Sequence, residues 1–127
     1  MLSSQRIHHV SVFARDLEVS TRFYTDVLGV RRIERPPFSN EGTWFEVGES
    51  KHQIHLMALP QGSDVLDRPQ HSEHFALWVD SYKKTIAWLD QCSVPYDAYP
   101  DSVAGFAQIY IRDPDGHLIE LSCDYNS

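Results

Sequence analysis

Cysteine is scarce in this chain: two in 127 residues, Cys92 and Cys123. They form no Cys-x-x-Cys pair, so a thiolate metal ribbon is excluded, and both are expected to be reduced thiols in a cytoplasmic protein. Basic residues are also few, 11 Lys and Arg against 18 Asp and Glu, for a formal net charge of −7. No basic run exceeds Arg31-Arg32 or Lys83-Lys84. That excludes a nucleic-acid surface, which needs a basic patch to neutralise phosphates. No apolar stretch approaches the length of a membrane span. The opening residues, MLSSQRIHHV, lack the apolar centre of a secretory leader and run straight into a strand-like pattern. What the chain has in excess is histidine, seven in all.

Periodicity divides the chain into strands and two helices. Residues 6–14 alternate with Ile7, Val10 and Val12 as apolar strand positions. Asp16 is a fitting N-cap for a helix over Leu17–Leu28, where Phe23, Tyr24, Val27 and Leu28 recur at helical spacing and Gly29 supplies the stop. Strands are expected at Val30–Glu34, Thr43–Val47 and Gln53–Ala58, separated by Pro36-Pro37, Asn40-Glu41-Gly42 and Gly48. Residues 60–73 read as a connecting loop. The order then recurs: a strand at His74–Val79, a helix over Tyr82–Cys92 begun by Asp80-Ser81 and barred by Pro95, then strands at 96–99, 106–112 and 117–123. Asp113-Pro114-Asp115-Gly116 makes the last tight turn.

The recurrence is in register. HHVSVF overlies EHFALW, FYTDVLGV overlies WLDQCSVP, and IHL at 54–56 overlies IEL at 119–121, each at an offset of 65 residues. A duplicated module follows. The expected organisation is one domain over 1–127, with module 1 at about 5–59, a linker at about 60–72 and module 2 at about 73–124. The expected fold class is α+β, two repeated modules that each run strand, helix, then three strands.

The register also groups four polar strand residues. His9 overlies His74 and His55 overlies Glu120, each set among mostly apolar neighbours. Side chains alternate across a strand, so the four can share the face opposite the one that packs on helices. Three imidazoles and one carboxylate suit a divalent transition metal, Fe, Ni, Zn, Co or Mn, with the carboxylate balancing charge. Trp44, Phe45, Trp78, Phe106 and Tyr110 are candidates to line an apolar cavity, about half of them being core. Arg68 and His71 on the connecting loop are candidates to meet an anion, although a solvated loop explains them as well. His8, His52 and His117 read as surface or turn residues, and Arg112 as structural.

HHVSVFARDLEVSTRFYTDVLGV at 8–30, IHLM at 54–57, EHFALWV at 73–79 and IRDPDGHLIEL at 111–121 resemble the vicinal oxygen chelate superfamily of glyoxalases, bleomycin resistance proteins and extradiol dioxygenases. The likeness is strongest to glyoxalase-like proteins of unassigned substrate. It implies two βαβββ modules in a curled mixed sheet around a metal site, with His9, His55, His74 and Glu120 as the metal ligands and a small substrate bound through two neighbouring oxygens. It also implies that Glu120 is the candidate catalytic base and that the chain works as a homodimer, with sites formed where modules meet. The activity implied is that of a glyoxalase-like lyase or isomerase. The alternatives are an extradiol-type dioxygenase and a non-catalytic small-molecule binding or resistance protein. The chain departs from the glyoxalase I pattern in carrying His55 where that enzyme has a carboxylate or amide. Phe13 and Leu59 stand where bacterial glyoxalase I holds glutathione with Arg and Asn. Residues 102–108, SVAGFAQ, lack the potassium loop of fosfomycin resistance proteins.

Overall fold

The computed structural model describes residues 1–67 and 72–127. The chain divides into two compact units, Met1–Arg68 and Pro69–Ser127. Arg68 and His71, the loop candidates for an anion, lie outside the described residues.

In the first unit Asp16 caps the helix as its sequence position implies, its carboxylate accepting from the Val19 amide at 3.1 Å. The elements are β1 (His9–Ala14), α1 (Leu17–Asp26), β2 (Arg31–Ile33), β3 (Gly42–Glu46) and β4 (Gln53–Ala58). The sheet order is β1-β4-β3-β2, with β1 parallel to β4 and the other pairs antiparallel. A parallel pair needs a crossover, and α1 with β2 and β3 supplies it. Two element ends differ from expectation by more than one residue. β1 begins at His9 rather than residue 6, and Ile7 is exposed. α1 stops at Asp26, and Gly29 takes the left-handed φ of +70° that turns the chain into β2.

The second unit repeats this order with β5 (His74–Trp78), α2 (Tyr82–Gln91), β6 (Asp97–Tyr99), β7 (Ala107–Arg112) and β8 (Leu118–Cys123). Its sheet order is β5-β8-β7-β6, with β5 parallel to β8. Ser81 caps α2 by accepting from the Lys84 amide. The linker region carries a short 3-10 turn at Val65–Asp67. Cys92 and Cys123 are free thiols. Among the described residues no helix is long and apolar enough to cross a membrane.

Each sheet sorts its side chains by face. In the first, Ala14, Phe45, Ile54 and Leu56 are buried, and Tyr24 of α1 stacks on Phe45 with ring centroids 5.6 Å apart. In the second, Ile109, Ile111, Ile119 and Leu121 form the matching buried row. The opposite face carries His9 and His55 in the first sheet and His74 and Glu120 in the second.

Candidate metal centre

His55 sits at the middle of β4, opposite Ser11 of β1 and Trp44 of β3. His9 opens β1 two residues before Ser11, so it shares that face. The rings of His9 and His55 stack with centroids 4.0 Å apart and planes within 16°. On the β3 side Trp44 stacks on His55, also at 4.0 Å and within 3°. The imidazole is thus held between two rings, and only 6% of the residue is exposed. Its Nε2 lies 2.8 Å from Gln53 Oε1, an oxygen that only accepts, so Nε2 carries the proton and Nδ1 the lone pair. Burial, followed by the charges of His9, His8 and Arg35, lowers the His55 pKa to about 4. A neutral imidazole with a fixed lone pair is the form that binds a metal ion. His9 itself is exposed, and its Nδ1 meets His8 Nδ1 at 2.9 Å.

The second unit pairs the other two. His74 opens β5 and Glu120 lies at the middle of β8, opposite Ala76 and Tyr110. His74 Nε2 is 3.0 Å from Glu120 Oε1. His74 Nδ1 is 2.7 Å from the Ser72 carbonyl, which can only accept. With Nδ1 donating to that carbonyl, Nε2 is the His74 nitrogen that faces the Glu120 carboxylate. Glu120 is buried, and burial alone would raise its pKa. Hydrogen bonds from Ser122, Tyr110, Gln108 and His74 outweigh that and hold the carboxyl below its ordinary range. Ser122 Oγ donates to Oε2 at 2.5 Å, and Gln108 Nε2 donates to Oε1 at 3.3 Å.

Each unit therefore brings together one expected pair, His9 with His55 and His74 with Glu120. Periodicity missed their supports. Gln53 and Ser122 sit two residues from a ligand candidate on the same face, a period-two signal that was legible. Trp44 and Tyr110 pair with His55 and Glu120, but at an offset of 66 rather than 65 (110 minus 44). One extra residue before β7 breaks the sequence register there.

The aromatic expectations divide. Phe45 is wholly buried in the core, and Trp78, 61% exposed, meets Phe106 edge-on at 6.0 Å. Only Tyr110 of the five lines the cleft of about 310 Å³ in the second unit, together with Tyr96, Arg112 and Leu118. Arg112 ties down the last turn through Nη1 to the Gly116 carbonyl, 2.8 Å. A further group with metal-binding chemistry lies in that turn: ligand atoms of Asp113, Asp115 and His117 fall within 4.8 Å of one another. Asp113 Oδ1 there accepts the amides of Asp115 and His117, each at 2.9 Å.

Residues 6–121 match the model of the Glyoxalase/Bleomycin resistance protein/Dioxygenase superfamily, and the chain belongs to that superfamily. Glyoxylase I 4 of Arabidopsis thaliana is 30% identical over 93% of this chain and 71% of its own length. Lactoylglutathione lyase of Haemophilus influenzae is 29% identical over 91% of this chain and 90% of its own. Among solved structures, a glyoxalase family protein of Bacillus anthracis superposes with a TM-score of 0.81 over 98% of each chain at 23% identity, a likeness of fold.

Proposed function

We propose that this chain is a metal-dependent, glyoxalase-like lyase or isomerase. In this reading His9, His55, His74 and Glu120 hold one divalent transition metal, and Glu120 is the base. The observation that carries it is the recurrence of one arrangement in both units. At the same strand positions each sheet pairs two donor side chains on its polar face, His9 with His55 and His74 with Glu120. The donor chemistry fits a cation. His55 is a neutral imidazole with a free Nδ1, Glu120 is a buried carboxylate, and His74 presents Nε2 to that carboxylate. Iron, nickel, zinc, cobalt and manganese all accept such donors.

When bound, the cation would supply Lewis acidity toward two neighbouring oxygens of a small substrate. The protein supplies the proton chemistry. Four hydrogen bonds keep Glu120 ionised and weakly basic at rest. Its Oε2 is tied to Ser122, so Oε1 is the atom that accepts a proton from a carbon next to a carbonyl. That step needs Oε1 freed from His74 and from the long Gln108 contact. His55 leaves this set with a single carboxylate, which favours one-base chemistry over a two-base shuttle. The reading treats residues 1–127 as one domain that works in the cytoplasm as a homodimer, its sites completed within a chain or across the dimer.

Elemental analysis of protein purified without added metal, followed by zinc titration, tests it. About one ion per proposed site is expected, lost in His55→Ala and in Glu120→Ala. Protein that holds no transition metal and takes none up overturns the reading. One observation favours a rival, a non-catalytic binder: the cleft beside Tyr110 and Arg112 is lined without any of the proposed ligands. Ligand binding that ignores metal content would select it.

A further inference from the structure

Gln108 of β7 joins Glu120 to the loop between β6 and β7. It pairs with Ser122 of β8 and lies two residues from Tyr110, so it shares the polar face with Tyr110 and Glu120. Its Oε1 accepts from Ser102 Oγ at 2.6 Å. Its Nε2 donates to Tyr110 Oη at 3.2 Å and to Glu120 Oε1 at 3.3 Å. The amide has one workable orientation, because turned over it would set its oxygen against a carboxylate oxygen. Ser102 secures the other end. Its Oγ accepts the Ala104 amide at 3.2 Å, which leaves the hydroxyl proton for Gln108.

The result is a hydrogen-bond relay with a single direction. It starts at the Ala104 amide, which can only donate, and ends at ionised Glu120, which can only accept. Between them stand Ser102 Oγ, the Gln108 amide and Tyr110 Oη. Tyr110 accepts from Gln108 and has its own proton for Glu120, with which it is hydrogen-bonded. Linked bonds of this kind polarise and strengthen one another. Ser102 is itself held by Tyr125, beyond β8. Tyr125 Oη donates to the Ser102 carbonyl and accepts the Gly105 amide at 3.2 Å. That anchors Ser102 in a loop whose tip, Val103, is fully exposed.

Gln108 therefore serves Glu120 twice, by its own Nε2 and by turning the Tyr110 proton toward the carboxylate. Its contact with Oε1 is long, and Tyr110 Oη is a second acceptor for the same nitrogen. When Oε1 moves to take a proton, Nε2 keeps a partner and no buried donor is stranded. We propose that Gln108 is a positioning residue for Glu120: oriented by Ser102, its amide aims Oε1 for the proton transfer and releases it without losing a partner. This inference rests on the function proposed above, in which Glu120 is the base, and adds the residue that aims it.

NMR of zinc-free and zinc-loaded protein at neutral pH tests it. The signals followed are the Glu120 carboxyl carbon, assigned through Glu120→Gln, and the Gln108 side-chain amide, assigned through Gln108→Leu. Ser102→Ala removes one hydroxyl that does not touch Glu120, yet it is expected to move both signals. Ser102→Thr keeps the hydroxyl and should return them. Gln108→Leu should move the carboxyl signal further and weaken zinc binding at least about tenfold, as the loss of a ligand's outer partner does. In the Gln108→Leu background Ser102→Ala should have no further effect on that signal, because its influence passes through the amide. A carboxyl signal that stays in place in Ser102→Ala overturns the proposal. So does a Ser102→Ala shift that is as large without Gln108 as with it, the mark of a loop that is merely structural. Zinc content, read separately on the same samples, decides the metal reading. A protein without zinc whose Glu120 signal still answers to Ser102→Ala loses that reading and keeps this one. If Gln108→Leu does not fold, a Ser102→Ala shift that Ser102→Thr reverses sustains the proposal, and one that it leaves overturns it.

Discussion

Trp44 lies flat on His55, ring centroids 4.0 Å apart and planes within 3°. The indole limits the His55 ring to one plane. Trp44→Ala removes a half-buried aromatic and its stacking partner, and should cost about 2–3 kcal/mol of stability in denaturant titration. Zinc affinity should fall with it, because an untethered imidazole must be ordered on binding. Trp44→Phe, which keeps a flat ring there, should restore most of both.

Gln53 fixes which nitrogen of His55 is free. With Nε2–H donated to Gln53 Oε1 at 2.8 Å, Nδ1 is left to bind. Supports of this kind are worth about 10–100-fold in metal affinity. Gln53→Leu should therefore weaken zinc binding by about that factor and, by leaving the buried Nε2–H without its acceptor, cost about 1–3 kcal/mol in the unfolding transition. Competition against a chromophoric chelator gives the affinity. An unchanged value would mean that His55 is not a ligand through Nδ1.

Stability of the first unit should depend on the opposite face of the same sheet. Phe45 is fully buried and stacked on Tyr24 of α1. Phe45→Ala should cost about 3–5 kcal/mol, the usual range for emptying a core aromatic site. Phe45→Leu keeps most of the volume and should cost less, with metal content preserved at temperatures where the variant is folded.

The duplicated modules were legible because the offset of 65 holds in β1 and β5, in α1 and α2, and in β4 and β8, the elements that carry His9, His55, His74 and Glu120. These strands alternate, so a polar residue among apolar neighbours stands out by eye. Trp44 and Tyr110 were not legible as equivalents. Their strands are offset by 66, and strand pairing, which sequence does not display, decides which residue faces His55 and which faces Glu120. The boundary of β1 was overextended because Ile7 fits the alternation although it lies outside the ladder.

The Asp113, Asp115 and His117 group provides a control on the whole reading. Its ligand atoms lie within 4.8 Å of one another, so on distance alone it rivals the strand residues as a place for a cation. The hydrogen bonds argue for a turn instead. Asp113 Oδ1 accepts two backbone amides, from Asp115 and His117, which is how an aspartate builds a tight turn between β7 and β8. Asp113→Ala takes a charged acceptor from two amides at once and should cost about 3 kcal/mol. Asp113→Asn keeps the oxygen and should cost about 1 kcal/mol, the difference between a charged and a neutral acceptor. Zinc stoichiometry should be unchanged in Asp113→Asn and lost in His55→Ala. The reverse pattern, zinc lost with Asp113→Asn and kept with His55→Ala, would move the metal from the strands to the turn, and with it the assignment of Glu120 as base.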